Sequence, residues 1–453
     1  MRTGVVCLSL AALLVGPVRP ARAQFSTDAR RIGMGGVSLS RDGNLRRFNP
    51  AYRAVKDRPD DRGAKLTIPV PLGLIDFFKD HPINQLGDDP MFNRDSAAFN
   101  PIVALNLILN PPIFYEVKKA PTPTNDVEFT IGKNAFVIDL GGAQVLIPED
   151  EFGLGSTSRL LDMGFGAAGF HVGVMGFLQY DIGFTLDDSL RGVLKNADSV
   201  RANTAYTVLG DGLAQTGIAP TISYSGRVMR GTGGGGDESD DGIYLGAAVR
   251  YYMGATYARG RGPAGFITGN PVFGTTPTAL LDDTVFTSNK PFGHGFGGDV
   301  GIVWVSGPLE VGAGVNDIGA ELTWSDTKVQ RVAYDPVSDS VRTTLVQNHV
   351  ESKSKLPITY IANAAIRMGA TTTVGGDIVN SGRGTVIHVG AEQRVGVFAL
   401  RGGVSRDQRK KMQFGWGGGV RLGPLGLDAG FWTHSNSFAD KRGITMATSI
   451  SLY

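Results

Sequence analysis

The segment from Leu356 to Tyr453 constrains the fold more than any other part of the chain, because it consists of short alternating runs separated by glycine-rich turns. Each run has 9–12 residues, the length of a tilted strand that crosses a bilayer. The runs are Pro357–Met368, Thr371–Val379, Thr385–Arg394, Val397–Arg406, Lys411–Leu422, Leu425–His434 and Ile444–Tyr453. This pattern predicts an all-β chain that crosses a membrane as a closed antiparallel barrel, since a barrel leaves no unpaired backbone edge in lipid.

The alternation within these runs supports a barrel with a polar interior. In Val397–Ser405 the apolar residues alternate with Arg401, and in Leu425–Thr433 they alternate with Asp428. A water-soluble sandwich also alternates, but long, nearly contiguous strands with tight turns on one side favour the barrel. The apolar residues of the last run are out of register with the terminal Tyr453, which a bulge or kink would reconcile.

Composition excludes several other classes of protein. The 44 basic and 42 acidic residues nearly cancel and form no basic stripe, so no nucleic-acid partner is expected. After residue 23 no apolar run approaches 18 residues, which excludes transmembrane helices. Glycine makes up 64 of 453 residues, twice the usual share of about 7%, and glycines inside strands mark bends and close backbone approach.

The first 23 residues predict a cleaved signal peptide, with an uncleaved membrane anchor as the alternative. Arg2 precedes a weakly polar to apolar run, Gly4–Gly16, and Ala21-Arg22-Ala23 is a cleavage site of the A-x-A type. Cys7, the single cysteine, lies in this segment. The exported chain, beginning at Gln24, would therefore contain no disulfide and no thiolate metal site.

Residues 24–60 form a compact, glycine-punctuated segment that is too short for its own core, so it must pack against or inside the larger part of the chain. Residues 61–453 are assigned to the barrel, and their length gives roughly 14 strands, with 12–16 as the range. Within them, 188–216 is expected to be helical or a long loop, and 258–292 a second long loop.

The N-terminal segment carries a resemblance to a known family. Its motifs are Arg31-Ile32-Gly33-Met34-Gly35-Gly36-Val37, then Asp42, then Asn49-Pro50-Ala51. They resemble the start of the FadL-like superfamily of outer-membrane barrels, which includes long-chain fatty acid transporters and PorV-like proteins of type IX secretion. Val389-Gly390-Ala391-Glu392 and Ala399-Leu400-Arg401-Gly402-Gly403 are similar to strands of the PorV-like branch. Val37 and Gln393 depart from the family pattern, which has alanine and tyrosine there.

The resemblance implies a 14-stranded barrel in the outer membrane of a diderm bacterium, with the N-terminal segment folded into the lumen as a hatch. It implies partners of two kinds, outer-membrane lipid and a hydrophobic small-molecule ligand that passes the hatch and leaves sideways through the wall. The gating residues carried over are Gly33, Gly35, Gly36, Asp42, Asn49, Pro50 and Ala51. The alternative is a PorV-like barrel that partners secretion components or exported protein.

Enzyme chemistry and cofactors are not expected. The six histidines are far apart and include no H-E-x-x-H, and no G-x-S-x-G nucleophile motif occurs. The acidic stretch Gly231–Asp241 reads as a solvated hairpin loop, with a calcium site as the alternative. His388 is expected to face the lumen as a hydrogen-bonded residue.

Overall fold

A computed structural model describes residues 29–39, 43–56, 66–69, 128–129, 138–139, 151–196, 198–231, 240–272, 275, 277–338, 340–382, 384–406, 412–433 and 444–452. The predicted signal peptide, Asp42, most of the acidic stretch after Gly231 and Tyr453 lie outside these ranges.

The described residues are nearly all in strands. The helices are Ala29–Gly33, Gly43–Phe48, a 3₁₀ helix Pro50–Arg53 and Asp188–Asn196. The strands are β1 Leu66–Pro69, β2 Glu128–Phe129, β3 Ile138–Asp139, β4 Glu151–Ala167, β5 Phe170–Leu186, β6 Ala205–Arg230, β7 Gly242–Ile267, β8 Thr278–Ser288, β9 Gly293–Ser306, β10 Leu309–Asp335, β11 Ser340–Lys355, β12 Thr359–Met368, β13 Thr372–Asn380, β14 Thr385–Val395, β15 Phe398–Arg406, β16 Met412–Leu422, β17 Leu425–Thr433 and β18 Ile444–Leu452. No helix in these ranges is both long and apolar enough to span a bilayer.

Sixteen of these strands form one antiparallel sheet, which begins at β1, passes through β18 and ends at β4. Strands β8 and β9 both lie between β7 and β10, one above the other. Strands β11 and β12 share the opposite edge of β10 in the same way. Because two positions hold two strands each, the 16 strands occupy 14 positions, in agreement with the predicted count.

The sheet is curled into a barrel around the N-terminal segment. The helix Ala29–Gly33 packs against β15, β16, β17 and β18, whereas the 3₁₀ helix packs against β6, β7 and β9. The helix Gly43–Phe48 contacts β4 and β10. A short segment can touch strands along the whole sheet only if the sheet surrounds it, so this segment occupies the lumen as a hatch.

The two faces of the wall differ as the alternation predicted. On β15, Phe398 and Leu400 point outward with 57% and 63% of their surface exposed, while Arg401 is buried inside. Asp428 on β17 is likewise buried. The outer face therefore carries an apolar band fit for lipid, and charged side chains point into the lumen.

The final strand needs no bulge to fit this arrangement. It pairs with β17 without a register shift from Ile444 to Leu452. Ile450 and Leu452 point outward, and Ser449 and Ser451 are buried. Only the predicted placement of Tyr453 lies outside the part of the chain that the structure describes.

Hairpins at one end of the barrel are tight, and we call this the short-turn end. Glycines with positive φ lie in five of these turns, at Gly169, Gly307, Gly369, Gly396 and Gly423. At the opposite, long-loop end, strands β6, β7 and β10 reach 26–27 residues. The wall is therefore tall on the side of β6–β11 and low on the side of β12–β18.

Two sequence expectations were wrong at this tall wall. Residues 188–216 contain the short helix Asp188–Asn196, but β6 already begins at Ala205. Residues 258–292 are not a loop, because β7 continues to Ile267 and β8 follows. Above the apolar band a strand needs no apolar outer face, so these stretches lack the alternation that identifies membrane-crossing strands.

Candidate functional site: the hatch and its seat in the barrel wall

The glycines Gly33, Gly35 and Gly36 bring the hatch backbone against the wall. A Cβ on Gly35 would lie 2.7 Å from the backbone nitrogen of Val404, and one on Gly36 would meet the ring of His388 at 2.8 Å. Gly35 and Gly36 also have positive φ values, 70° and 97°, which favour glycine. The close approach predicted for these glycines is therefore present.

Asn49, Pro50 and Ala51 form the first of four polar contacts between the hatch and the wall. The Asn49 side-chain amide donates to the carbonyls of Ile302 and Ala313, both at 3.0 Å. Its oxygen accepts from the Ala51 N–H at 3.0 Å and caps the 3₁₀ helix. The amide thus links the hatch turn to a pair of residues on β9 and β10.

The wall opposite this turn consists of glycines. A Cβ on Gly301 would lie 2.0 Å from the Asn49 side-chain oxygen, and one on Gly246 would lie 2.4 Å from the Ala51 nitrogen. On β10, a Cβ on Gly314 would lie 2.9 Å from the Phe48 carbonyl. Because these three positions carry no side chain, the hatch backbone rests directly on β7, β9 and β10.

A buried ionic cluster holds the start of the hatch. Arg30 donates to both carboxylate oxygens of Glu392 at 2.8 and 3.0 Å. Arg401 bridges the same carboxylate, at 2.7 Å, to Asp428, at 2.6 Å. Arg394 also pairs with Glu392, at 2.9 Å. The hatch is thereby tied to β14, β15 and β17.

A third contact uses Asp377 and His388. The Ser38 N–H donates to one oxygen of Asp377 at 2.9 Å, and the other oxygen lies 2.5 Å from Nδ1 of His388. His388 is buried in the lumen and hydrogen-bonded, as the sequence indicated.

The fourth and largest contact centres on Arg159 of β4. Its guanidinium donates to both oxygens of Asp299, at 2.9 Å each, and to Asp317 at 2.9 Å. It also donates to the Arg47 carbonyl of the hatch at 2.6 Å. Arg250 completes the cluster with a 2.7 Å bond to Asp299. These side chains are buried, so each charge depends on its partners rather than on water.

A bulge in β10 makes this cluster possible. The β9–β10 ladder shifts register on both sides of Ile318. Asn316 and Asp317, which are neighbours in sequence, are consequently both buried, and Asp317 has a φ of 59°. In a regular strand one of these two side chains would face lipid.

An aromatic layer lies between this cluster and the long-loop end. Trp324 stacks on Tyr257 with ring centroids 5.2 Å apart, and Phe177 meets Tyr252 edge-on at 5.3 Å. The Tyr252 hydroxyl donates to Asp317 at 2.5 Å, which joins the layer to the ionic cluster. The Trp324 ring packs on Gly254 and Gly293, where a Cβ would approach it to 2.2 and 2.5 Å.

An apolar groove of about 520 Å³ lies on the outer face of the wall, behind the hatch turn. Gly301, Ala313 and Gly314 belong to its lining. Its sides come from outward-facing residues of four strands, β7, β9, β12 and β13: Leu245, Val300, Ile302, Tyr360 and Ile378. The same glycine-lined stretch of wall thus separates the hatch turn on the inside from an apolar groove on the outside.

A second, polar cavity of about 340 Å³ opens towards the long-loop end beside Gln179 and Ser354. It is lined by acidic residues Asp181 and Asp211 and by basic residues Arg259, Lys353 and Lys355. Within the described ranges no group of three potential ligand side chains is arranged to hold a metal ion.

The structure brings six of the seven predicted gating residues to the wall, and Asp42 lies outside the described residues. Sequence reasoning missed Arg159, Arg250, Asp299 and Asp317. The signal that could have found Arg159, Arg250 and Asp299 is a charged residue at an inward position of a strand, the signal that did identify Arg401 and Asp428. Asp317 faces inward only because of the bulge, so this signal does not reach it.

No protein-family model matches the chain, and no curated protein matches its sequence. Among solved structures, the toluene transporter TodX of Pseudomonas putida matches over 96% of this chain and 97% of its own, with 12% identity and a TM-score of 0.38. The toluene transporter TbuX of Ralstonia pickettii covers 68% of this chain and 91% of its own, with 11% identity and a TM-score of 0.31. The monoaromatic hydrocarbon channel CymD covers 68% and 90%, with 11% identity and a TM-score of 0.30. These likenesses are weak, and the function below rests on the residues of this chain.

Proposed function

We propose that this chain is a FadL-like barrel of the outer membrane that transports hydrophobic small molecules, such as long-chain fatty acids, past its hatch. The observation that carries the proposal is the position of the hatch turn. Asn49 and Pro50 lie against Gly301 and Gly314, and the apolar groove lies on the other side of the same wall. A shift of this turn would uncover, on the lumen side, the stretch of wall that has the groove on its other side.

The location follows from the outer surface and the turns. An apolar band with buried charges inside fits a bilayer, and short turns at one end with longer loops at the other fit outer-membrane barrels. We place the short-turn end in the periplasm of a diderm bacterium, reached by way of a cleaved signal peptide. The partners are outer-membrane lipid and the hydrophobic cargo.

Uptake into cells tests the proposal. The chain would be expressed in a diderm host that lacks its own fatty acid channel, and uptake of radiolabelled fatty acid and of toluene measured. Ala313→Phe fills the groove and should abolish uptake, whereas Ala364→Phe, an outward residue of β12 outside the groove, should not. A correctly inserted barrel that takes up neither compound would overturn the proposal.

A second candidate is a PorV-like partner in protein secretion or surface attachment. The aromatic layer favours it, because Trp324, Tyr252 and Phe177 are fully buried inside the wall, and a binding partner needs no passage beside them. Affinity purification from the native membrane separates the two functions. A secretion partner should retain exported protein or secretion components in stoichiometric amounts, and a transporter should not.

A further inference from the structure

A row of four outward side chains shapes the apolar groove in the wall. Ala313 of β10 and Ala362 of β12 are ladder partners, with Ile302 of β9 beside the first and Ile378 of β13 beside the second. All four residues line the groove from the outer face. Two methyl groups between two larger side chains leave a depression of about 520 Å³. The groove therefore follows from the order of small and large residues across four neighbouring strands.

The groove has a polar end, which points towards the long loops. There Tyr360, Asn380 and Thr385 are ladder partners on β12, β13 and β14, and all three belong to the lining. The Asn380 amide donates to the Thr385 hydroxyl at 3.0 Å. Within the described part of the chain, the Asn380 side-chain oxygen and the hydroxyl protons of Thr385 and Tyr360 have no other partner. These atoms can therefore bind a polar group at the end of the groove.

The height of the groove places it in one leaflet of the bilayer. Strands β12, β13 and β14 have 10, 9 and 11 residues, the length that crosses a bilayer once. Asn380 is the last residue of β13 and Thr385 the first of β14, so the polar row lies at the long-loop edge of the apolar band. Tyrosine is enriched at this depth, where hydrocarbon gives way to head groups. The rest of the groove thus faces the hydrocarbon of the leaflet at the long-loop end.

The described residues that line the groove include no charged side chain. Its polar atoms belong to a neutral amide and to hydroxyl groups. Such groups match the ester carbonyls and hydroxyls of a lipid backbone, whereas phosphates and free carboxylates are typically bound by arginine or lysine. Recognition at this site should therefore not depend on the charge of a lipid head group.

A second copy of this chain suits the groove poorly. In a two-fold dimer the same patch of both subunits meets at the axis. Two grooves that faced each other would enclose a void, and a void forfeits the van der Waals contacts that drive association in lipid. A flexible hydrocarbon chain can follow the depression and fill it.

We propose that the groove binds one acyl chain of a membrane lipid, with the ester group of that chain at Tyr360, Asn380 and Thr385. The chain lies over Ala313 and Ala362, and the lipid belongs to the leaflet at the long-loop end. This site does not depend on transport, because it requires only the barrel and a bilayer.

Photolabelling in vesicles tests the site. The full chain would be inserted into vesicles of phosphatidylethanolamine and phosphatidylglycerol that contain a trace of phosphatidylethanolamine with a diazirine in the middle of one acyl chain. Digestion and mass spectrometry after illumination would locate the labelled residues. We expect the surroundings of Ala313 and Ala362 to be labelled about tenfold more than the outward residues Leu400 and Leu427, because the groove holds the chain in place.

Two alanines of β12 supply a matched pair of variants. Ala362→Phe fills the groove and should reduce labelling around Ala313 to the level of Leu400. Ala364→Phe, on the same outward face but outside the lining, should leave it unchanged. Thr385→Val removes the hydroxyl and should lower the enrichment about threefold. Labelled phosphatidylglycerol should give the same enrichment as labelled phosphatidylethanolamine, and heat-modifiable migration in gels would establish that each variant has folded.

Four results would overturn the proposal. They are equal labelling of all outward strands, groove labelling that persists in Ala362→Phe, enrichment with only one of the two head groups, and loss of groove labelling as the ratio of protein to lipid rises. The last result would assign the groove to a second copy of the chain. Because the vesicles contain no transported compound, none of these results depends on whether uptake is observed.

Discussion

At the residue scale, Arg159 does the most to join the hatch to the barrel. A single guanidinium reaches carboxylates on β9 and β10 and the Arg47 carbonyl of the hatch. It also lies 5.3 Å above the Phe48 ring. Its planar guanidinium presents five N–H donors and can bind a carboxylate through two parallel hydrogen bonds, a geometry that a lysine ammonium with three donors on one nitrogen cannot supply.

Replacing Arg159 with alanine should therefore destabilise the barrel strongly. Asp299 and Asp317 would remain buried with Arg250 as the remaining cation of the cluster, and a broken buried pair costs about 3–5 kcal/mol. Guanidinium unfolding in detergent would measure the loss, and Arg159→Lys should recover part of it. Arg342→Ala breaks an exposed pair with Asp335 and serves as the control, for which no measurable change is expected. An equal effect of both alanine variants would contradict this role.

The neighbouring glycines Gly402 and Gly403 of β15 provide a matched test of the contact between the hatch backbone and β15. A Cβ on Gly403 would lie 2.1 Å from the Met34 carbonyl oxygen, whereas a Cβ on Gly402 meets nothing within 4 Å. Gly403→Ala should cost about 1–3 kcal/mol of unfolding free energy, because the hatch backbone must move. Gly402→Ala should be neutral or slightly stabilising. Unfolding in detergent compares the two, and equal stabilities would show that the hatch does not press on β15.

At the element scale, the helix Asp188–Asn196 depends on one carboxylate at its start. Asp187 accepts from the Leu190 N–H at 2.8 Å and from the Thr207 hydroxyl at 2.7 Å, so it links the helix to β6. Partial burial opposes ionisation, but these hydrogen bonds outweigh it and hold the pKa of Asp187 below its usual range. The group lies in the loop between β5 and β6, outside the membrane.

This link should weaken in acid. Because the pKa of Asp187 is lower in the folded than in the unfolded chain, its stabilisation is complete above the unfolded value of 3.8 and is lost as pH falls through the folded value. Amide hydrogen exchange of residues 188–196 should then accelerate relative to the strands. Asp187→Asn should show fast exchange already at neutral pH and little further change in acid. The same acid response in wild type and variant would exclude this carboxylate as the cause.

The sequence predicted the boundaries of some strands much more accurately than those of others. The seven C-terminal strands were predicted to within two residues, because each has one face in lipid and the other towards the lumen. The upper parts of β7 and β10, and the whole of β8 and β11, do not alternate between lipid and lumen. The bulge at Asn316 and Asp317 was also not predictable, since it reveals itself only when both side chains are seen to face inward.

At the scale of the whole molecule, four separate polar contacts attach the hatch to the barrel wall, at Arg30, Ser38, Arg47 and Asn49. Several of them involve buried charges, so the hatch should not leave the lumen spontaneously. A barrel that holds the hatch inside its lumen in this way should pass few ions.

Deletion of residues 24–58 should therefore raise conductance in planar bilayers. The intact protein should show low conductance, because the hatch and the aromatic layer lie inside the barrel wall. Circular dichroism and heat-modifiable migration in gels would establish that the shortened barrel has folded. Large, stable conductance of the intact protein would indicate an open porin instead.

The amino-acid sequence was sufficient to predict a membrane-crossing barrel of roughly 14 strands, within a range of 12–16, and a glycine-rich segment that packs against or inside it. These depend on local rules, namely the two-residue period, turn glycines and strand length. Which charged residues form ion pairs could be learned only from the tertiary structure. Arg159 lies more than a hundred residues from Asp299 and Asp317 in the sequence, and no local pattern indicates that they pair. The tertiary structure also decided that an apolar groove lies behind Asn49, because the groove depends on which strands are neighbours.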